Sequence, residues 1–258
     1  MIWDDFYQQP TLYDLEYTHR THDVAWYRAL ASEAATVLEL GAGTGRITLP
    51  MALTGAHVTA VDLCRPMLEV LQGRRAKLED PSCIDLLQAD FTRLDLGKRF
   101  ELVVLPFNAL QHVYTPDDFL ALMETVHKHL ARGGRFALDV AVPAYDVWAN
   151  RDPDARHELR TMADPEGGKL MTWENGSYDP ISQIYTARYH YQRASGKRQL
   201  VRLPLRMFHP QDLLTLLMQA GFQVARKSGG FDGRPLKPTS STLVLELMSA
   251  EDPGLLEY

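Results

Sequence analysis

The apolar run Thr36–Leu40 leads directly into Gly41-Ala42-Gly43-Thr44-Gly45-Arg46, and helical spacing resumes behind it. Alternating glycines let a backbone turn sharply and approach a ligand with no side chain between. A loop that opens onto a helix N-terminus also presents free N–H groups. Strand, glycine loop and helix in this order point to an α/β fold that carries a ligand beyond the carboxyl ends of its strands. A bare strand-to-helix turn would use one of these glycines but seldom all three. The dinucleotide fingerprint places its last glycine where this chain has Arg46, so a close pyrophosphate seat is disfavoured and a nucleoside ligand without phosphate fits better.

Short runs rich in Val, Leu and Ile recur at His57–Val61, Ile84–Gln88, Leu102–Leu105 and Arg135–Val140, with helical segments such as Arg65–Leu78 and Asp117–Leu130 between them. Near-continuous apolar strands joined by helices predict a parallel sheet covered on both faces. Beyond Val140, the stretch from 143 to 170 is rich in Pro, Asp, Gly and charge and reads as a long connection. Three alternating segments follow, Leu170–Tyr178, Ile181–Arg193 and Gln199–Phe208. In the second, Tyr185, Ala187, Tyr189 and Tyr191 share one face. They predict a small antiparallel sheet inserted at 143–208 into a main domain formed by 1–142 and 209–258. A helix at Pro210–Ala220 and strands at Gln223–Lys227 and Thr242–Met248 complete that domain.

Asp62 ends the second apolar run, where a carboxylate can accept from both hydroxyls of a ribose; capping the helix that begins at Arg65 is a compatible role. Val37–Arg46, Val61-Asp62-Leu63, Gln88-Ala89-Asp90-Phe91 and Leu130–Phe136 resemble, in order, the motifs of the class I S-adenosylmethionine-dependent methyltransferases. The resemblance implies a doubly wound, Rossmann-like sheet of seven strands, mostly parallel with the last antiparallel, and S-adenosylmethionine as cofactor. It implies the methionine part near Glu39 and Gly41, with Ala42, Gly43 and Gly45 completing the loop. Ribose would lie on Asp62, adenine beside Leu63 and Met67, the adenine amino group on Asp90, and a backbone contact at Phe91. Read alone, Asp90 is equally an ordinary loop acid. The stretch Tyr13–Asp23 resembles the leading segment of small-molecule N-methyltransferases, a helical lid over the cofactor. Carried over, Tyr17 and Arg20 would meet the methionine carboxylate; a surface helix packing Tyr13 and Tyr17 on the core is the plainer reading. The inserted sheet is similar to the substrate cover of the same enzymes.

The fourth run ends in Leu105-Pro106-Phe107-Asn108, a loop that should border the reactive methyl. Phe107 is thereby a candidate cofactor contact and Asn108 a candidate catalytic residue. The loop lacks the Asp/Asn-Pro-Pro-Tyr of amino-methylating DNA enzymes and the acidic ligands a hard cation needs, so no catalytic metal is expected. His112 is the candidate general base, since a neutral imidazole can take a proton near pH 7; a polar residue at the start of a loop is the alternative. His209 is a weaker candidate, and His127 and His129 read as solvated residues or as partners of a helix dipole.

The expected reaction is direct displacement, moving a methyl group to a nitrogen or oxygen of a small molecule. The net charge of −6 argues against broad nucleic-acid binding. Within Ile181–Arg206, however, Arg188, Arg193, Lys197, Arg198, Arg202 and Arg206 occur with no acid. That fits a solvated sheet face, or a face that docks RNA or protein substrates. A non-catalytic module that binds the cofactor and regulates a partner is the reading from another class. Cys64 and Cys83 offer neither a disulfide framework nor zinc spacing. The N-terminus lacks a signal-peptide pattern, and no run approaches the ~20 apolar residues of a bilayer span. A soluble, cytoplasmic monomer or homodimer is expected.

Overall fold

The computed structural model describes residues 6–17, 19–144 and 156–250. Met1–Asp5 and the part of the expected connection at 145–155 lie outside them. Helices α1 (Pro10–Tyr17) and α2 (His22–Ala31) precede an alternation of strand and helix: β1 (Thr36–Leu40), α3 (Thr48–Ala52), β2 (His57–Asp62), α4 (Arg65–Arg75), β3 (Ile84–Gln88), β4 (Phe100–Leu105), α5 (Pro116–His129) and β5 (Leu130–Ala141). Then come β6 (His157–Ala163), β7 (Lys169–Asp179), β8 (Ile184–Arg193), β9 (Arg198–Arg206), α6 (Pro210–Gln219), β10 (Phe222–Ser228) and β11 (Thr242–Ser249).

The large sheet has the order β10-β11-β5-β4-β1-β2-β3. Strands β1 to β5 pair in parallel, and β11 runs antiparallel to both β5 and β10. Alternate residues of the central strands feed two cores. Leu38, Leu40, Val103 and Leu105 pack with Phe119, Leu122 and Val126 of α5, while Val37, Leu102 and Val104 pack with Tyr27 and Leu30 of α2 and Met51 of α3. Burial on both faces explains why these strands are apolar almost throughout. Strand order reverses between β1 and β4, so a crevice opens beyond their carboxyl ends.

Helix α5 begins with Thr115, whose hydroxyl accepts from the Asp118 amide at 3.1 Å, with Pro116 at its first position. Its last turn corrects the expectation for the histidines. The His127 ring stacks on Phe222 with centroids 4.0 Å apart, and its Nε2–H donates to Ala220 O at 2.7 Å. His129 is fully buried, accepting from the Leu96 amide at Nε2 and donating from Nδ1 to Thr125 O. The solvated reading fails for His129, which the loop at 94–97 covers, while His127 is half-buried against β10; both stand in the last turn of α5, as the helix-dipole reading has them.

The second sheet has four antiparallel strands in the order β6-β7-β8-β9, one more than the sequence pattern indicates. The additional strand, β6, falls inside the stretch expected to be a connection. It carries little alternation of its own and is a strand through its pairing with β7. On the inner face, Tyr185, Ala187 and Tyr191 of β8 join Leu12 and Tyr13 of α1 in a third apolar cluster. The inserted sheet therefore lies against the N-terminal helix, beside the crevice.

Candidate active site

The glycine loop is bent by left-handed backbone that glycine alone adopts without strain: φ is +83° at Gly41 and +88° at Gly45. A Cβ on Gly41 would lie 3.2 Å from Ala109 Cβ, and one on Gly45 would lie 2.3 Å from Leu71 Cδ1. The turn is anchored when Gly41 and Ala42 amides donate to Val61 O at 2.8 and 3.0 Å. Arg46, in the fingerprint's glycine position, turns to the N-terminal segment. It donates to Arg20 O and forms a paired contact with Asp23 on α2.

Asp62 borders the cleft above this loop. Its Oδ2 accepts from the Gly43 amide and its Oδ1 from the Cys64 amide, both at 2.7 Å. It is not the cap of α4, whose N-cap residue is Cys64. Each oxygen keeps a further acceptor site, so the carboxylate is aimed yet still able to take a diol. Burial raises its pKa, and the two backbone donors oppose that rise. Asp90 caps the single turn Phe91–Arg93 through Oδ1, which accepts from the Thr92 amide and hydroxyl. Leu63, Asp90, Phe91 and Thr92 line the same cleft.

The tip of β4 is held in an unusual conformation. Phe107 and Asn108 both have positive φ, +55° and +63°, which costs energy in residues other than glycine. Asp139 of β5 holds this turn: its Oδ1 accepts from the Phe107 amide and from Tyr27 OH, each at 2.7 Å. The guanidinium carbons of Arg20 and Arg46 both lie over the Phe107 ring, 4.7 and 4.5 Å from its centroid, a favourable cation–π arrangement. Among the described residues, Asn108 Oδ1, Arg20 Nε and Arg46 Nε are buried without a hydrogen-bond partner.

His112 follows in the next turn and lines the cleft with Tyr7 and Tyr114. Tyr114 OH donates to Pro204 O at 3.1 Å. Its 3.3 Å contact with His112 Nδ1 therefore places a proton on Nδ1, and Nε2 accepts from Tyr7 OH at 2.7 Å. The network thus assigns the tautomer.

Of the residues expected from sequence, Gly41, Gly43, Asp62, Leu63, Asp90, Phe91, Phe107 and His112 come together on the cleft wall. Ala42, Gly45 and Asn108 support the turns that shape it. Glu39 is buried behind the loop, accepting from Thr48 Oγ1 at 2.5 Å, and burial raises its pKa to about 8 against the pull of that bond. Met67 is fully buried in the cluster with Phe6, Tyr13 and Cys64. Tyr17 OH meets Tyr189 OH at 3.3 Å, and Arg20 flanks Phe107. Tyr13, the first residue of the stretch that resembles a lid segment, joins the wall, as do Tyr7 and Tyr114, which no motif marks. His209 stands at the start of α6, away from the wall. Among the described residues no group of His, Cys, Asp and Glu is arranged to hold a metal, and no helix is long and apolar enough to cross a membrane.

The basic run of the inserted sheet divides between its faces. Arg193 pairs with Asp164 and Glu166. Arg188 and Arg202 are direct cross-strand neighbours on the face opposite the buried tyrosines, so they do not border the cleft.

Residues 37–134 match the family model described as a methyltransferase domain. The chain is 27% identical over 234 residues to the cypemycin N-terminal methyltransferase of a Streptomyces species, covering 87% of each protein. Its fold is similar to that of the CcbJ methyltransferase from Streptomyces caelestis, with a TM-score of 0.76, 25% identity, and coverage of 89% of this chain and 90% of the other. The sugar N-methyltransferase KedS8 from Streptoalloteichus shares the fold at a TM-score of 0.67 and 20% identity, covering 90% of this chain and 91% of the other.

Proposed function

Since the chain is a class I S-adenosylmethionine-dependent methyltransferase, we propose that it methylates an amine nitrogen of a small molecule or a short peptide. The observation that carries this reading is the Tyr7–His112 hydrogen bond on the cleft wall. An amine near neutral pH is an ammonium and must lose a proton before its nitrogen can attack. The similarity to a protein named as an N-terminal methyltransferase supports nitrogen over oxygen.

The cleft suits the cofactor in three respects. Gly41 lies on the cleft wall with no side chain to fill it, Asp62 is fixed by two amides to accept a ribose diol, and Arg20 and Arg46, which share the Asp23 carboxylate, each keep an Nε–H without a hydrogen-bond acceptor beside Phe107, suited to a carboxylate. Bound there, S-adenosylmethionine supplies an electrophilic sulfonium methyl. Asp90 and Leu63 take the base end, and Arg20, Arg46 and Tyr13 the amino-acid end.

The chain's own part is positioning, exclusion of water and proton removal. Tyr7 oxygen takes the proton of the acceptor ammonium as its own passes to His112 Nε2, leaving an imidazolium whose Nδ1–H is steadied by Tyr114. The acceptor nitrogen is then neutral, with its lone pair toward the cleft. The α1 helix and the inserted sheet close the site on the side away from the large sheet. Turnover of methyl-labelled cofactor against amines, amino sugars, peptide N-termini, phenols and carboxylates tests the proposal. Label on amine nitrogen supports it, and label confined to phenols or carboxylates refutes it.

A further inference from the structure

The basic run of the inserted sheet takes no part in the reaction proposed above. On the face turned away from the buried tyrosines, β8 presents Arg188 and His190, and β9 presents Arg198, Leu200 and Arg202. Arg188 and Arg202 stand directly opposite each other in the strand register, and like charges so placed repel. Arg193 of β8 is paired with Asp164 and Glu166, whereas among the described residues no carboxylate pairs with Arg188, Arg198 or Arg202. Arg188 is half-buried, and its Nε–H is enclosed with no acceptor. On β7, β8 and β9 the one acid of this face is Asp179, at the end of β7. Its carboxylate already accepts from Ser182 Oγ and from the Ile181 amide.

A buried N–H normally has an acceptor, and a guanidinium fork matches a carboxylate at two points. Two observations favour carboxylates on a polypeptide over the phosphates of a nucleic acid. The net charge of −6 opposes the approach of a long polyanion. Trp173, the ring of this face, is 9% exposed, stacked on His190 with centroids 4.9 Å apart and lying under the Arg156 guanidinium, so it offers no open surface for a base to stack on. Burial, and then Arg188 and Arg156, hold the pKa of His190 below its ordinary value, so the positive charge here is that of the arginines. Along β9, Arg198, the exposed Leu200 and Arg202 alternate on one face, at steps of roughly 7 Å. An extended peptide repeats at the same step.

We propose that the outer face of β8 and β9 docks an extended acidic segment of a partner polypeptide, with alternate carboxylates on Arg198 and on the Arg188–Arg202 pair and an apolar side chain between them on Leu200. This surface is separate from the cleft, and the inference stands whichever atom of the acceptor is methylated.

The test uses the full chain and the fluorescence anisotropy of a short labelled peptide in which glutamate, leucine and glutamate occupy alternate positions between serines. A second peptide carries glutamine for both glutamates, and single-stranded oligouridine represents nucleic acid. At low ionic strength the acidic peptide binds about five- to tenfold more tightly than the glutamine peptide, the sum of two partly exposed ion pairs, and added salt narrows the difference. The double variant Arg188→Gln, Arg202→Gln loses most of that preference. Arg202→Gln alone, a change at an exposed position, loses about half of it on a logarithmic scale and carries the test if the double variant fails to fold. Both variants keep the parent's affinity for S-adenosylhomocysteine. Equal binding of the two peptides, a preference that survives in both variants, or oligouridine binding as tight as that of the acidic peptide overturns the proposal.

Discussion

Arg46 and Asp23 meet as a two-point ion pair, Nη1 to Oδ1 at 2.8 Å and Nη2 to Oδ2 at 2.7 Å, with Asp23 fully buried. The pair joins the glycine loop to α2 at the position where a dinucleotide site would need glycine. Removing one partner leaves the other charged and buried, a loss of about 3–5 kcal/mol in comparable pairs. Asp23→Ala is expected to lose stability on that scale in urea unfolding. Adding Arg46→Met should recover part of it, and a double-mutant cycle measures the coupling.

Asp62→Asn presents an NH2 group to one of the two amides that hold the carboxylate, and weakens any diol contact. Affinity for S-adenosylhomocysteine should fall by roughly ten- to a hundredfold, the loss expected for a charge-assisted hydrogen bond. Isothermal titration reads this directly, with circular dichroism confirming the fold.

Glu39 makes stability depend on pH. Its folded pKa of about 8 lies above its ordinary value of 4.5, so between these values the folded state binds more protons than the unfolded state. Stability therefore falls as pH rises through this window and levels off above it. Glu39→Gln keeps an acceptor for Thr48 and removes the titration. It should match the parent near pH 4.5 and exceed it at pH 8.5 by on the order of 3–5 kcal/mol, as chemical denaturation at the two pH values would show.

Gly45→Ala combines a left-handed backbone with a Cβ placed against Leu71. A loss of roughly 1–3 kcal/mol is expected from the strain, read as a lower melting temperature.

The large sheet was legible because its signals are local. Thr36–Leu40 is apolar at three of its four buried positions, Glu39 being the exception, and the glycines follow at once, so strand, turn and helix are written in adjacent residues. Strand β6 was hidden because His157–Ala163 becomes a strand through its neighbour β7, and pairing between segments leaves no period in either. His129 misled for a similar reason: a histidine late in an amphipathic helix looks solvated until the loop at 94–97 covers it. Arg46 announced itself only as a departure from a pattern, with Asp23 invisible as its partner. Tyr7 lies 105 residues from His112, and no spacing rule connects two side chains brought together only by the packing of α1 over the crevice.

In the proposed reaction Tyr7 and His112 act as one proton-accepting unit. Single-turnover methyl transfer from labelled S-adenosylmethionine to a saturating amine acceptor, in Tyr7→Phe, His112→Ala and the double variant, tests it most directly. Each single variant should be about a hundredfold slower than the parent, within the range for general-base catalysis, and the double variant no slower than the worse single one, because members of a unit are not additive. Parent-like rates in both single variants, or losses that multiply in the double variant, would contradict the account.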